Sequence, residues 1–280
     1  MTTTTSLFEQ AQLAEAAYAR LINSTGGLIS TGNELAAALI ASGFSQNPND
    51  LTQSAQATAF VSQWRVVNHI PDTATGFSAT LFEHLNSAGN GTGEFNLAIR
   101  GSTFDSAGLD FLTDAGDIFL DGVALDQMVD LYNYWQRLST PTTGTYTAAR
   151  LVTLQAETAL LISGSAPLGY EATLRARPDV IIDRGAGIAV RTIEFVDSAT
   201  LTDPLLQNGA GFPGTISTLN VSGHSLGGHL AMAFARLFPG TGASALGING
   251  LGFRPSNSNV NNLFAMLGGA SAFDPGKILN

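Results

Sequence analysis

The chain of 280 residues contains no cysteine. A chain without thiols has neither a disulfide framework nor thiolate chemistry. Its hydrophobic residues make up 44% of the composition, which is enough to build a large core from apolar side chains alone. No stretch resembles a linker, so we expect a single domain spanning residues 1–280.

Charged residues are also scarce, and basic ones are the scarcest. Only 12% of residues are charged, with 12 Lys and Arg against 22 Asp and Glu, for a net charge of −10. An acidic chain is repelled by phosphate backbones and by anionic lipid headgroups. The composition therefore argues against nucleic acid as a partner and against strong electrostatic docking on anionic membranes.

The sequence predicts neither a membrane-spanning segment nor a signal peptide at its first residues. No apolar run is long enough to cross a bilayer, and the first residues, MTTTTS, lack the basic and apolar regions of a signal peptide. The mean hydropathy of +0.17 is nevertheless high. This combination fits an enzyme that works on lipid beneath an apolar lid. A membrane-associated or oligomeric protein is the alternative.

The motif Gly-His-Ser-Leu-Gly occupies Gly223–Gly227. A β-like stretch, 215–222, precedes it, and an apolar helical stretch, 226–238, follows it. A serine on a sharp turn between a strand and a helix is typical of a nucleophile elbow, where flanking glycines permit a close backbone approach. We therefore predict that Ser225 is a nucleophile in acyl transfer. A glycine-rich turn with a surface serine is the alternative.

A second motif follows an earlier strand. Residues 94–99 read as a strand and lead into Arg100-Gly101-Ser102. In enzymes with a nucleophile elbow, one hydrogen-bond donor to the oxyanion is the backbone N–H of the residue after the nucleophile. The other donor comes from a loop after an earlier strand. Leu226 and Ser102 are the predicted oxyanion-hole residues.

The two motifs, Leu97–Ser102 and Val221–Gly228, resemble those of the class 3 lipases. Within that group the chain is most similar to bacterial lipases exported by type I systems, which carry calcium-binding glycine-rich repeats after the catalytic domain. The matches cover roughly residues 95–114 and 218–253. The resemblance implies an α/β-hydrolase fold, in which helices flank a central, mostly parallel sheet and lid helices cover the site. It also implies a secreted triacylglycerol lipase.

The resemblance assigns further roles. Phe111 and Asp114 look like the aromatic residue and the aspartate that follow Arg-Gly-Ser in the family, which implies that Asp114 supports the oxyanion loop. The chemistry itself requires no cofactor, and calcium is expected only by resemblance. The expected partner is a lipid or ester substrate, with transient lipid contact through a lid and no stable protein partner. Phospholipase A1 and short-chain esterase activities use the same machinery and stay open.

A catalytic acid and a histidine should follow the serine in an α/β-hydrolase. After Ser225 the chain has only His229 and Asp274 for these roles. His229 falls within the predicted helix and is better explained by packing, and Asp274 by a turn. The acid and histidine are therefore expected beyond Asn280, with this chain as the N-terminal catalytic part. The alternative is a non-catalytic hydrolase-fold module that binds lipid.

Hydrophobic patterning predicts the remaining elements. A helix over 33–40, flanked by Gly and Asn-Pro sequences, is a candidate lid or an ordinary packed helix.

Seven aspartates form an acidic run that could be a calcium site or, more simply, a solvated face. These are Asp105, Asp110, Asp114, Asp117, Asp121, Asp126 and Asp130. Further helices are predicted over 6–22, 123–138, 146–162 and 259–270; strands over 65–70, 77–85 and 245–253; a hairpin or cap over 179–183 and 187–195; and the start of a strand at 277–279.

Overall fold

A computed structural model describes residues 4–44, 53–101, 123–184, 187–212, 214–254 and 256–280. Its helices are α1 (Thr4–Ala16), α2 (Gly32–Ala41), α3 (Gln53–Gln63), α4 (Leu125–Ser139), α5 (Gln155–Ser163), α6 (Tyr170–Arg175), α7 (Leu226–Leu237) and α8 (Ser258–Met266). Its strands are β1 (Trp64–Ile70), β2 (Ala79–Leu85), β3 (Gly91–Ile99), β4 (Thr147–Thr153), β5 (Ile181–Asp183), β6 (Ala189–Asp197), β7 (Thr218–His224), β8 (Ser244–Ile248) and β9 (Ile278–Leu279). The predicted α/β class is confirmed.

The central sheet has six strands in the order β1-β2-β3-β7-β8-β9. The first three strands pair antiparallel, and β3, β7, β8 and β9 pair parallel to one another. Ile99 at the end of β3 lies opposite Gly223 in β7, which lies opposite Gly247 in β8. The carboxyl ends of these parallel strands therefore share one edge of the sheet, where ligands of open α/β sheets commonly bind.

Both faces of the central sheet are covered. Leu81 and Leu97 lie in a core cluster with residues of α4, α7 and α8. Their neighbours Phe82 and Ala98 lie in a second cluster with residues of α1, α2 and α3. Successive side chains of a strand point to opposite faces, so the two clusters lie on opposite sides of the sheet. Burial on both faces explains why β2 and β3 are apolar at successive positions.

A smaller antiparallel sheet, in the order β4-β6-β5, packs against α4 and α8. Two buried asparagines attach it to helices. The Asn133 amide of α4 donates to the Ala149 carbonyl and accepts from the Ala149 N–H, both at 2.8 Å. Asn259 of α8 donates to the Ile182 carbonyl at 2.8 Å and accepts from its N–H at 3.0 Å. Each amide thus satisfies two strand groups that would otherwise be buried without partners.

The helix predicted over residues 146–162 is wrong in its first half. Residues 147–153 form β4, which pairs with β6 from Thr147 opposite Asp197 to Thr153 opposite Arg191. Only residues 155–163 are helical, and none of the α5 residues is buried. The strand forms because its partner lies some forty residues away, and tertiary pairing of this kind overrides local propensity. The predicted hairpin of 179–183 with 187–195 is confirmed as the pair of β5 and β6.

The predicted ends of one helix and one strand are also wrong. The helix expected to reach residue 22 ends at Ala16, and the chain then turns through a hydrogen bond from Tyr18 N–H to the Glu15 carbonyl. The strand expected to reach residue 253 ends at Ile248, because Asn249 adopts a positive φ of 51°. A residue in this conformation cannot continue a strand.

The candidate lid helix, 33–40, lies within α2. Its Leu35 and Leu39 are fully buried in the cluster that contains Phe44 and Phe60. The helix is packed against the body of the protein in this structure, and its opening over lipid stays a prediction. Among the described residues, no helix combines the length and the hydropathy of a membrane span.

Replacing Asn133 by alanine tests the attachment of the small sheet. Asn133→Ala leaves the N–H and the carbonyl of Ala149 buried without partners, so we expect the free energy of unfolding to fall by about 2–4 kcal/mol. Asn90→Ala, at an exposed turn, is the control and should change it by less than about 0.5 kcal/mol. Urea denaturation followed by circular dichroism measures both. Equal stabilities of the two variants would contradict the assigned role.

Candidate active site

Ser225 stands between the end of β7 and the start of α7, as the motif predicts. Its backbone has φ 56° and ψ −122°, a conformation that residues with a Cβ rarely adopt. Among the described residues only Ser225 and Asn249 combine a side chain with positive φ. The Ser225 N–H donates to the Ile248 carbonyl at 2.8 Å, and the Ser225 carbonyl accepts from the His229 N–H at 3.1 Å. The strained conformation is therefore held from both sides.

The glycines of the motif are required by backbone contacts. A methyl group on Gly223 would overlap the carbonyl of Gly227, and one on Gly227 would overlap the carbonyl oxygen of Ile99. A methyl group on Gly228 would lie 3.1 Å from the Cα atoms of Gly247 and Gly250. Only glycine permits these approaches, so the motif packs α7 directly against β3 and β8.

The end of β3 lies against the Ser225 turn. A methyl group on Gly101 would overlap the carbonyl oxygen of His224, the residue before Ser225. The structure thus brings together the Arg-Gly-Ser and Gly-His-Ser-Leu-Gly motifs up to Gly101. Ser102, Phe111 and Asp114 lie outside the described residues. Leu226 begins α7, and its N–H belongs to the first turn, whose N–H groups have no partner within a helix and favour a negative charge.

Tyr18 links the two motifs and was not identified from the sequence. Its hydroxyl lies 3.3 Å from Nδ1 of His224 and directly beside Gly101. Burial raises the pKa of Tyr18, an effect that the Gly101 backbone and the charge of Arg100 partly oppose. The phenol is therefore neutral near pH 7. No local pattern around residue 18 indicates this role, which depends on contacts across the fold.

Among the described residues, no hydrogen bond joins any of the four histidines to the side chain of Ser225. His229 lies in the core, where its Nδ1 is 2.6 Å from the Leu251 carbonyl and its ring stacks on Phe253. Burial lowers the pKa of His229 to about 4, so it is a neutral packing residue. His69 bonds Thr80, His84 packs against Trp64, and His224 bonds Tyr18. The packing role expected for His229 agrees with these contacts.

Asp274 lies in the turn before β9. Its carboxylate accepts from the Gly276 N–H at 2.9 Å, and its carbonyl accepts from the Lys277 N–H at 3.0 Å. These bonds match the turn interpretation of this residue. Strand β9 then pairs parallel with β8, and the Asn280 side chain donates to the Gly250 carbonyl at 3.1 Å.

Of the acidic run, Asp126 and Asp130 lie among the described residues. The Asp130 carboxylate accepts from the hydroxyls of Thr73 at 2.7 Å and Thr75 at 2.6 Å. Burial raises its pKa to about 6, against the effect of these hydrogen bonds. Asp126 lies 3.6 Å from the guanidinium of Arg191. Within the described residues no group of three His, Asp or Glu could hold a metal ion, and the other aspartates of the run lie outside them.

The carboxyl edge of the sheet also carries a cavity of about 330 Å³. Its lining comes from three places in the chain: the turn after α1, the β1–β2 connection with the end of β1, and Arg100 after β3. Sequence reasoning singled out Arg100 only as part of a motif and missed the others, because they are far apart in sequence. The lining residues are Tyr18, Ala19, Arg20, His69, Pro71, Asp72, Ser78 and Arg100.

Comparison with known proteins adds no relative. No protein-family model matches the chain, and no curated protein or solved structure matches it significantly. The function must therefore be inferred from the geometry of the Ser225 turn and its surroundings.

Close packing at the Ser225 turn can be tested with a single methyl group. Gly227→Ala forces a Cβ into the backbone of β3, so we expect the free energy of unfolding to fall by about 1–3 kcal/mol. Gly240→Ala is the matched control, since an added Cβ there meets nothing within 4 Å. Thermal unfolding of both variants decides the point. A Gly227→Ala protein as stable as the control would show that the turn does not approach β3.

Backbone strain at Ser225 predicts a difference between two substitutions that both remove the hydroxyl. Ser225→Gly relieves the strained φ and ψ, whereas Ser225→Ala keeps it, so the glycine variant should be more stable by about 1 kcal/mol. At an unstrained site glycine is the less stable residue. Denaturant titration of the two variants measures the difference, and a more stable alanine variant would contradict the strained geometry.

Proposed function

We propose that the protein is a carboxylic-ester hydrolase with an α/β-hydrolase fold, in which Ser225 is the nucleophile, and that lipid esters such as triacylglycerols are its substrates. One observation carries the proposal. Ser225 has a strained conformation at the carboxyl edge of a parallel sheet, between a strand and a buried helix, with the end of β3 packed against it. This geometry presents a hydroxyl where a neighbouring loop can supply an oxyanion donor.

In the proposed reaction the Ser225 oxygen attacks the acyl carbonyl carbon, and the carbonyl electron pair moves onto oxygen. The N–H groups of Leu226 and Ser102 stabilise that oxyanion, with Asp114 supporting the Ser102 loop. The alcohol then leaves with a proton, and water releases the acyl group from Ser225. A general base is required for both steps. The described histidines all have other partners, so the base is the component that the proposal leaves to be located.

Exposed apolar side chains near α5 support the proposal that the substrate is a lipid. Leu160, Ile162 and Leu168 of the α5 region are exposed, the last of them fully. Contiguous apolar patches on a surface often mark an interaction site, and these three residues, close together in the chain, are the candidate for such a patch. Transient contact of this region and of α2 with a lipid interface belongs to the proposal, as do calcium dependence and export by a type I system, which rest on the family resemblance.

The alternative is a module of the same fold that binds lipid without turnover. The absence of a histidine bonded to Ser225 among the described residues favours it. It differs from the enzyme in one chemical property, namely the reactivity of the Ser225 hydroxyl, because a serine that no base activates is a poor nucleophile.

Labelling with a fluorophosphonate probe distinguishes the two. We expect the wild-type chain to be labelled, Ser225→Ala to be unlabelled, and Ser217→Ala, which removes an exposed serine hydroxyl, to be labelled like the wild type. Intact-protein mass spectrometry measures the adduct, and circular dichroism checks that each variant is folded.

Two outcomes would contradict the proposed enzyme. Labelling that persists in Ser225→Ala would place the reactive group elsewhere. A folded wild-type chain that is neither labelled nor able to hydrolyse a soluble aryl ester would favour the lipid-binding module.

A further inference from the structure

The cavity of about 330 Å³ at the carboxyl edge, called here the Arg20–Arg100 cavity, adjoins the Ser225 turn. Tyr18 lines it and also contacts His224, which precedes Ser225. Arg100 lines it as well and directly precedes Gly101, whose Cα lies against the His224 carbonyl. A group bound in the cavity would therefore contact two residues, Tyr18 and Arg100, that adjoin the Ser225 turn.

The lining of the cavity carries two cationic side chains against one anionic side chain, Asp72, in a chain that is acidic as a whole. The two cationic residues, of the twelve basic residues in the chain, are Arg20 and Arg100. Arg20 is exposed, and no carboxylate among the described residues forms an ion pair with it. Arg100 is largely buried and pairs with both carboxylate oxygens of Asp72, which is itself half-exposed. The pair fixes the orientation of the Arg100 guanidinium without burying a lone charge.

The lining offers several hydrogen-bond donors and one anionic acceptor, the Asp72 carboxylate, which is already paired with Arg100. Beside the two guanidiniums, the lining includes the Tyr18 hydroxyl, which is neutral near pH 7, and the His69 ring. Burial and the charge of Arg100 lower the pKa of His69 to about 4, so this ring adds no charge near neutral pH. An acyl chain placed here would remove water from the guanidiniums without replacing their hydrogen bonds, which is unfavourable. The cavity therefore suits the alcohol side of an ester.

We propose that the Arg20–Arg100 cavity binds the phosphate group of a lipid ester whose leaving alcohol carries a phosphate, as in a glycerophospholipid. The proposal rests on the proposed function, since it assigns a substrate class to the same site. Guanidinium groups bind phosphate through several charge-assisted hydrogen bonds, which fits Arg20 at the entrance and Arg100 in the wall. The second cavity, of about 210 Å³, has three aspartates, Asp126, Asp130 and Asp203, against two arginines, so acidic side chains are in excess there.

Binding can be measured without catalysis. In wild-type protein, glycerol 3-phosphate should shift the NMR signals of the His69 ring in a saturable way, and glycerol should not. Arg20→Gln should weaken that binding about tenfold, the loss expected for a charge-assisted hydrogen bond. Arg150→Gln, which removes a guanidinium from the wall of the other cavity, is the matched control and should bind like the wild type.

Rates of hydrolysis test whether the cavity recognises the phosphate group of a phospholipid substrate. With phosphatidylglycerol and diacylglycerol of the same acyl chains in mixed micelles, Arg20→Gln should lower kcat/KM about tenfold more for the phospholipid than for the neutral lipid. Arg150→Gln should leave the ratio of the two values unchanged. Equal losses on both lipids, or no loss on either, would overturn the proposal.

The two readouts separate the possible failures. Turnover of diacylglycerol without a phosphate-dependent shift of His69 rejects the cavity and keeps the hydrolase. A saturable shift with no turnover of either lipid rejects the hydrolase and leaves an anion site. Inorganic phosphate that binds as tightly as glycerol 3-phosphate, with no preference between the lipids, would identify a site for free phosphate and overturn the lipid assignment.

Discussion

The structure around Ser225 depends on one constraint, the contact of Gly227 with the backbone at the end of β3. Because no side chain separates the two segments, α7 can lie directly on the sheet and bury residues such as Leu230 and Phe234 in the larger core. The same contact places Gly101 against His224. A methyl group at this point would separate the helix from the sheet and the two motifs from each other, so packing and site geometry have a common origin.

The elements that the sequence predicted well are those with local signals. The Ser225 turn, strands β2 and β3, and α4 each follow from glycine spacing or periodicity within a few residues. Strand β4 was missed because its pairing with β6 is not local. Tyr18 and Arg20 could not be predicted as site residues, since the turn after α1 reaches the carboxyl edge only through the packing of α1 on β3 and β7.

The site divides into two environments of different polarity. Polar and charged groups line the cavity beside β1 and Arg100, whereas Leu226, which follows Ser225, is buried in the apolar core with the residues of α7. An ester has the same division, with an apolar acyl chain and a polar alcohol. In the proposed reaction, orientation of the substrate would therefore follow from desolvation: each half of the ester is excluded from the environment that suits the other.

The amides of Asn133 and Asn259 have a consequence for association between molecules. In the small sheet β6 is central, so β4 and β5 are its two edge strands. At Ala149 and at Ile182 the asparagines occupy the outward N–H and carbonyl groups that an incoming strand would need. Exposed strand edges are templates for intermolecular pairing. A side chain that imitates a neighbouring strand therefore blocks pairing at one residue of each edge, which disfavours edge-to-edge association of a chain with few charged residues.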